Sequence, residues 1–178
     1  MVAAAFIVAA GAASVAPVAA SSASAASAPY CGITWGSQLK TATSTLVLPE
    51  LTNIRAGRHN CYDRLVFDVR DGSASGYWVQ YVPVMTQTGS GQVVPLRGGA
   101  KLSVTAHVPA YNDTGQSTYH PANRAELVNV TGYRTFRQVA WAGSYEGEST
   151  VGLGTRARLP FRVFTLPGKL VIDVAHAW

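Results

Sequence analysis

Charge is scarce in this chain and cysteine scarcer still. Only 13% of its 178 residues are Asp, Glu, Lys or Arg, and no block of like charge marks a disordered tail. There are two cysteines and four scattered histidines (His59, His107, His120, His176). None of them has the close spacing of a zinc or redox motif, and no HExxH signature occurs. The nucleophile elbow Gly-x-Ser-x-Gly is missing too: Gly143 to Gly147 carries Tyr145 at its centre, and Gly72 to Gly76 carries Ala74. No glycine-rich phosphate loop opens a helix, because no stretch after Pro29 sustains an apolar 3.6-residue period. The residues therefore nominate no catalytic group, no metal site and no cofactor.

What is present begins with an uncharged, small-residue stretch. Ala3 to Ala10 is apolar, Gly11 and Pro17 interrupt the run, and Ser21 to Ala28 offers several small-x-small cleavage points. These are the hydrophobic and cleavage regions of a secretory leader, although no basic residue follows Met1. The expected organisation is a leader over residues 1–28 and a single domain over 29–178. A transmembrane anchor is the competing reading. The run is Ala-dominated and broken by Pro17, so no stable span is expected in the mature form. Ala28-Pro29-Tyr30 ahead of Cys31 does not suit lipid attachment. The mature domain is thus expected to be secreted or associated with the cell wall.

Eleven Arg and three Lys face nine acids, a net charge of +5. That sign favours carboxylate- or phosphate-bearing polymers, while export argues against nucleic acid. In an exported protein, Cys31 and Cys61 imply one disulfide. Closing a loop of about thirty residues would stabilise the fold by roughly 3.5 kcal/mol in the chain-entropy model.

Short strand-like runs punctuated by turn residues fill the rest. Leu51 to Arg58 is one. Arg64 to Arg70 alternates, with Leu65, Phe67 and Val69 on one face and Arg64, Asp68 and Arg70 on the other. Asp71 to Gly76 is a turn, and Tyr77 to Val82 the next strand. Lys101 to Val108 points Leu102, Val104, Ala106 and Val108 inward. Pro109 to Arg124 is the longest loop. Strands are then expected at Glu126 to Gly132, Arg137 to Tyr145, Ser149 to Gly154, Phe161 to Leu166 and Leu170 to Val174. About nine short strands imply an all-β, mostly antiparallel sandwich or flattened barrel. A helix within Ser37 to Thr45 or the long loop is compatible with the pattern but not required by it.

Two runs echo each other, Leu65-Val66-Phe67-Asp68-Val69 and Leu170-Val171-Ile172-Asp173-Val174. They read as central strands, each burying three apolar residues and presenting an Asp to an Arg neighbour. Asp63, beside Arg64, reads as a further ion-paired sheet residue. Glu146 and Glu148 flank a glycine as the charged tip of a hairpin; as a glycosidase pair they would need to face each other across a sugar. The best binding signal is Arg interleaved with aromatics from Tyr133 to Tyr145. It nominates Arg134, Arg137, Trp141 and Tyr145 as ligand contacts, since flat rings stack on sugars and guanidinium forks hold anions.

Tyr62-Asp63-Arg64-Leu65-Val66-Phe67-Asp68, followed by Gly76-Tyr77 and Tyr81-Val82, resembles the AMIN-like domain of exported actinobacterial proteins. Pro160 to Leu166 and Leu170 to His176 resemble the same family, so the likeness spans roughly Leu51 to His176. It implies kinship with AMIN β-sandwiches, which localise cell-wall amidases and secretion components to the envelope through peptidoglycan. The chain has no room for an amidase domain, and no binding residues carry over. The function expected is non-catalytic recognition of peptidoglycan, an anionic wall glycan or an envelope protein. The alternatives are a protein-interaction module (an inhibitor or assembly factor) using Tyr111 to Arg124 or a sheet edge, and a glycan hydrolase using Glu146 or Glu148.

Overall fold

Burial alternates with period two along Tyr62–Val69 and Ala100–Ala106, whereas Phe136–Tyr145, Glu148–Thr155 and Lys169–Ala175 are buried on both faces along most of their length. The computed structural model describes residues 29–43, 49–70, 72, 74 and 76–178. The expected leader, and positions 71, 73 and 75 of the expected turn, lie outside the described residues. The strands are β1 (Lys40–Ala42), β2 (Leu51–Arg58), β3 (Tyr62–Val69), β4 (Tyr77–Val82), β5 (Ala100–Ala106), β6 (Phe136–Tyr145), β7 (Glu148–Thr155), β8 (Phe161–Leu166) and β9 (Lys169–Ala175). They form two antiparallel sheets, one ordered β1-β4-β5-β7-β6 and the other β2-β3-β9-β8. The fold is the expected all-β sandwich, and Cys31 is bonded to Cys61.

The core lies between the sheets. Leu65, Phe67, Leu170, Ile172 and Val174 come from the echoing central strands and are wholly buried, with Val69 nearly so. Their burial is worth about 10–15 kcal/mol by surface transfer, as an upper bound. They meet Val79, Leu102, Val104, Val139, Val151 and Leu153 from the five-stranded sheet.

Gly152 and Gly154 explain a second layer. Residues Met85 to Arg97 lie across the outer face of the five-stranded sheet, where Met85 and Val94 pack on Ala140 and Ala142. A Cβ on Gly154 would stand 2.0 Å from the Arg97 carbonyl oxygen, and one on Gly152 would stand 2.8 Å from Leu96. Only glycine lets the covering segment lie this close.

Two expectations are corrected, and one open option is answered. Glu126 to Gly132 is not a strand. Leu127 N–H donates to Val139 and Trp141 N–H to Arg124 along the β6 edge. On either side of Leu127 the Asn123 and Asn129 side chains accept from Ala125 and Thr131 N–H groups (2.9 Å each), forming local turns that compete with a ladder. Ser37 to Thr45 holds no helix among its described residues; Lys40–Ala42 instead pairs with β4 at the sheet edge. Asp63 is not paired with Arg64. Strand parity turns Asp63 inward with Leu65 and Phe67, where it accepts from Thr135 N–H (2.6 Å) and Phe136 N–H (3.1 Å) and lies 3.1 Å from His176 Nε2. Those contacts tie β6 and the chain's end to β3.

Candidate functional site

The outward residues of β3, β9 and β8 assemble a surface that no single stretch of sequence displays. Cross-strand register sets them in rows. Arg64, Asp173 and Arg162 form one row, and Val66, Val171 and Phe164 the next. Asp173 is wholly buried, yet it lies on the outer face because the two arginines close over it. Arg64 donates to it from Nε (2.7 Å) and Nη2 (2.9 Å). Arg162 donates from Nε (2.8 Å), with Nη2 also at 2.8 Å. The hydrogen bonds to Asp173 raise the Arg64 pKa above its ordinary value. Two guanidinium groups share one carboxylate, so the row carries one positive charge in excess.

Aromatic rings surround those guanidinium groups. The Arg64 carbon stands 5.2 Å from the Tyr62 ring centre and 5.4 Å from that of Phe164. The Arg162 carbon stands 5.0 Å from Phe164, 5.3 Å from Tyr62 and 5.5 Å from Trp35. These are cation–π distances. The side chains of Arg64 and Arg162 remain 23% and 31% exposed. Each spends Nε and Nη2 on Asp173, and Nη1 of each has no protein partner among the described residues. A guanidinium has five N–H donors, so both retain donors for an anion. A second carboxylate pair, Asp68 with Arg55 at 2.7 Å, flanks the rows and is locally neutral.

The disulfide completes this surface. Cys31 lies in a short 3₁₀ turn, Tyr30–Gly32, and its bond to Cys61 pins that turn beside the start of β3. Trp35 donates its indole N–H to the Tyr30 carbonyl at 2.8 Å. Tyr30, Ile33, Trp35, Pro160 and Trp178 then line a cleft of about 450 Å³ next to the arginine row. Trp178 is 71% exposed there. Trp35 belongs to both features, so cleft and arginine row form one continuous cationic and aromatic surface. It is a binding geometry: cations with spare donors, flat rings, and its one carboxylate in the arginine row fully occupied.

The four nominated residues, three on β6 and Arg134 just before it, do not come together. Arg137 donates to the carbonyls of Tyr133, Phe136 and Arg134 and so fastens its own loop. Arg134 is exposed nearby. Trp141 is buried, part of the core and the wall of a different recess. Tyr145 is exposed at the hairpin end, against Gly89. Arg137 and Tyr145 sit eight residues apart on one strand, about 26 Å at the usual rise. Sequence reasoning missed Trp35, Tyr62, Arg162 and Phe164 as a group. Their signal was strand parity: Tyr62, Arg64 and Asp68 share one face of β3, as Arg162 and Phe164 share one of β8.

Glu146 and Gly147 form the β6–β7 turn with φ of 50° and 80°, a two-residue hairpin that needs positive φ. Glu148 lies 3.1 Å from His107. No group of His, Cys, Asp and Glu suited to a metal occurs among the described residues. No described helix is long and apolar enough to cross a membrane.

A two-sheet antiparallel sandwich with a cationic, ring-lined outer face is a binding domain in form. The AMIN-like domain family model matches residues 49–176, and the chain belongs to that family. The membership marks it as a cell-envelope-related binding module. Comparison with curated proteins and with solved structures returns no match to either.

Proposed function

We propose that this domain is exported and binds an anionic glycan polymer of the cell wall, without turnover, through the outer face of β3, β9 and β8. The observation that carries the reading is the Arg64–Asp173–Arg162 row. Both guanidinium groups lie against Tyr62 and Phe164, and that of Arg162 against Trp35 as well, while keeping unspent donors. Pre-ordered cations lose little side-chain freedom on binding, so a weak multivalent polymer can be held by modest contacts repeated along its length. The adjoining rings of Trp35 and Trp178 suit the apolar faces of sugars. Absence of turnover is supported by the acids: Glu146 sits at an exposed turn tip, Glu148 is engaged by His107, and Asp173 is occupied by arginine.

Co-sedimentation of the purified mature domain with insoluble cell wall tests this. Binding should be strong at low ionic strength and weaken as salt rises, because the contacts are exposed and screened. Arg64→Gln with Arg162→Gln should abolish it in a protein that still melts cooperatively. Wild-type protein left in the supernatant at low salt would end the polymer reading.

A further inference from the structure

A polar recess shares no lining residue with the arginine row. The long loop after β5 folds back on itself and forms one wall of it. Asn112 accepts from the N–H groups of Thr114 (3.1 Å) and Gln116 (2.8 Å), Tyr111 bridges to Ser117, and Thr118 N–H donates to the Ala110 carbonyl at 2.9 Å. At its far end the Arg124 carbonyl accepts from Trp141 N–H at 2.7 Å. The loop is therefore tied down at both ends and internally bonded, so the space beside it exists before any ligand arrives.

That space is about 460 Å³, and Tyr111, Tyr119, His120, Arg124 and Trp141 are among the residues that line it. Its size lies in the range of small-molecule sites. The rings of Tyr119 and Trp141 sit 5.3 Å apart at 54°, an apolar corner. Three polar groups on its wall are unspent, two of them on the solvent-exposed residues His120 and Arg124. Among the described residues, the Arg124 guanidinium, the His120 ring and the Tyr119 hydroxyl have no hydrogen-bond or ion-pair partner. Burial pushes the Tyr119 phenol up to about 12, so it stays a donor. The Tyr111 hydroxyl accepts from Gly147 N–H at 2.9 Å and keeps its own proton to give.

We infer that this recess is a second ligand site, for a carboxylate-bearing sugar, with Arg124 holding the carboxylate and Tyr111, Tyr119 and His120 the ring hydroxyls. One free cation matches one carboxylate, and a guanidinium fork takes it through two parallel bonds. Several separate donors around an aromatic corner match a polyhydroxylated ring with an apolar face. The inference rests on the reading of the domain as a glycan binder. It adds that an acidic sugar unit is recognised by shape, at a place distinct from the cationic face that holds the polymer.

The test uses the mature domain with sodium glucuronate and, as a neutral partner of the same ring, glucose. Nitrogen-15 NMR titration to about 10 mM, a concentration that reads weak sites, should move the Trp141 indole and Gly147 amide signals with glucuronate. Glucose should move them at least tenfold less at equal concentration. Arg124→Gln should erase that preference, and Tyr119→Phe should weaken glucuronate at least threefold. Arg64→Gln with Arg162→Gln should leave the titration unchanged. Equal responses to the two sugars, or glucuronate shifts confined to the Tyr62 and Phe164 region, would overturn the site. Arg124→Gln should still sediment with cell wall. If it does while the wild type ignores glucuronate, the recess inference fails and the polymer reading stands. If glucuronate binds but wall does not, the polymer reading fails instead.

Discussion

Replacing Asp173 by asparagine separates charge from geometry on the arginine face. The wild-type carboxylate receives four short nitrogen contacts, from Nε and Nη2 of both Arg64 and Arg162. An amide can accept only through its one oxygen, and its NH₂ must face a guanidinium. Charge-assisted bonds are worth about 1.5–3 kcal/mol each in net terms, and removing one partner of a buried pair typically costs about 3–5 kcal/mol. Here the arginines are 23% and 31% exposed and can turn toward water, which reduces the expected loss to about 2–3 kcal/mol. Urea unfolding of Asp173→Asn should show it as a lower midpoint at unchanged slope. Arg64→Gln, which leaves Asp173 still held by Arg162, should cost about 1–2 kcal/mol, and the double variant should couple by about 1 kcal/mol or more. The binding readout is sharper. Asp173→Asn raises the net charge by one, from +5, so simple attraction would tighten wall binding. If the fixed, ring-flanked arrangement matters, binding weakens instead. A loss of stability below about 0.5 kcal/mol, or stronger sedimentation with cell wall, would refute the argument.

The packing sets further expectations. Gly154→Ala puts a methyl 2.0 Å from the Arg97 carbonyl oxygen, so the covering segment must lift from the sheet. A cost of about 3 kcal/mol or more is expected, seen as a drop in Tm and as faster amide exchange across residues 85–97. Asp63→Ala strands the buried N–H groups of Thr135 and Phe136 and removes the acceptor facing His176. A loss of about 3–5 kcal/mol should appear in chemical unfolding. Reducing the Cys31–Cys61 bond, whose cysteines are 30 residues apart, should cost about 3.5 kcal/mol and weaken wall binding through looser placement of Trp35. Tyr119 keeps its proton to about 12 in the folded chain, whereas the unfolded phenol titrates near 10. The stability this contributes is whole below pH 10 and is lost as pH rises toward 12. Tyr119→Phe should flatten that alkaline limb of a stability–pH curve. Burial raises Tyr81 as well, so some slope remains.

The sandwich was readable because its signals are local. Alternation in β3 and β5 shows within a few residues, and the two echoing runs advertise the central strands. Parity also predicted the ion pairing of Asp68 and Asp173, found here with Arg55 and with Arg64 and Arg162. Loss of legibility began where side chains compete with the backbone. Glu126 to Gly132 has strand-like composition, yet Asn123 and Asn129 bend it into turns. Lys40–Ala42 is too short to carry a period at all.

The binding face was hidden for a different reason. Arg64 and Asp173 lie 109 residues apart, and only the β3–β9–β8 register brings the arginines to one carboxylate. The Tyr133 to Tyr145 stretch gathers the same residue types in sequence and disperses them in space. Consecutive residues of a strand point to opposite faces, and β6 has register shifts between Phe136 and Gln138 and again between Trp141 and Gly143. Each shift changes the parity of the residues beyond it. Arginine and aromatic residues adjacent on one strand are therefore poor evidence for a shared surface. The same types at alternate positions on hydrogen-bonded strands, as Tyr62 and Arg64 stand to Arg162 and Phe164, must face the same way once the strands pair. For a sheet protein, then, a candidate binding face is better sought by collecting outward-parity residues over a whole sheet than by scanning for clusters along the chain.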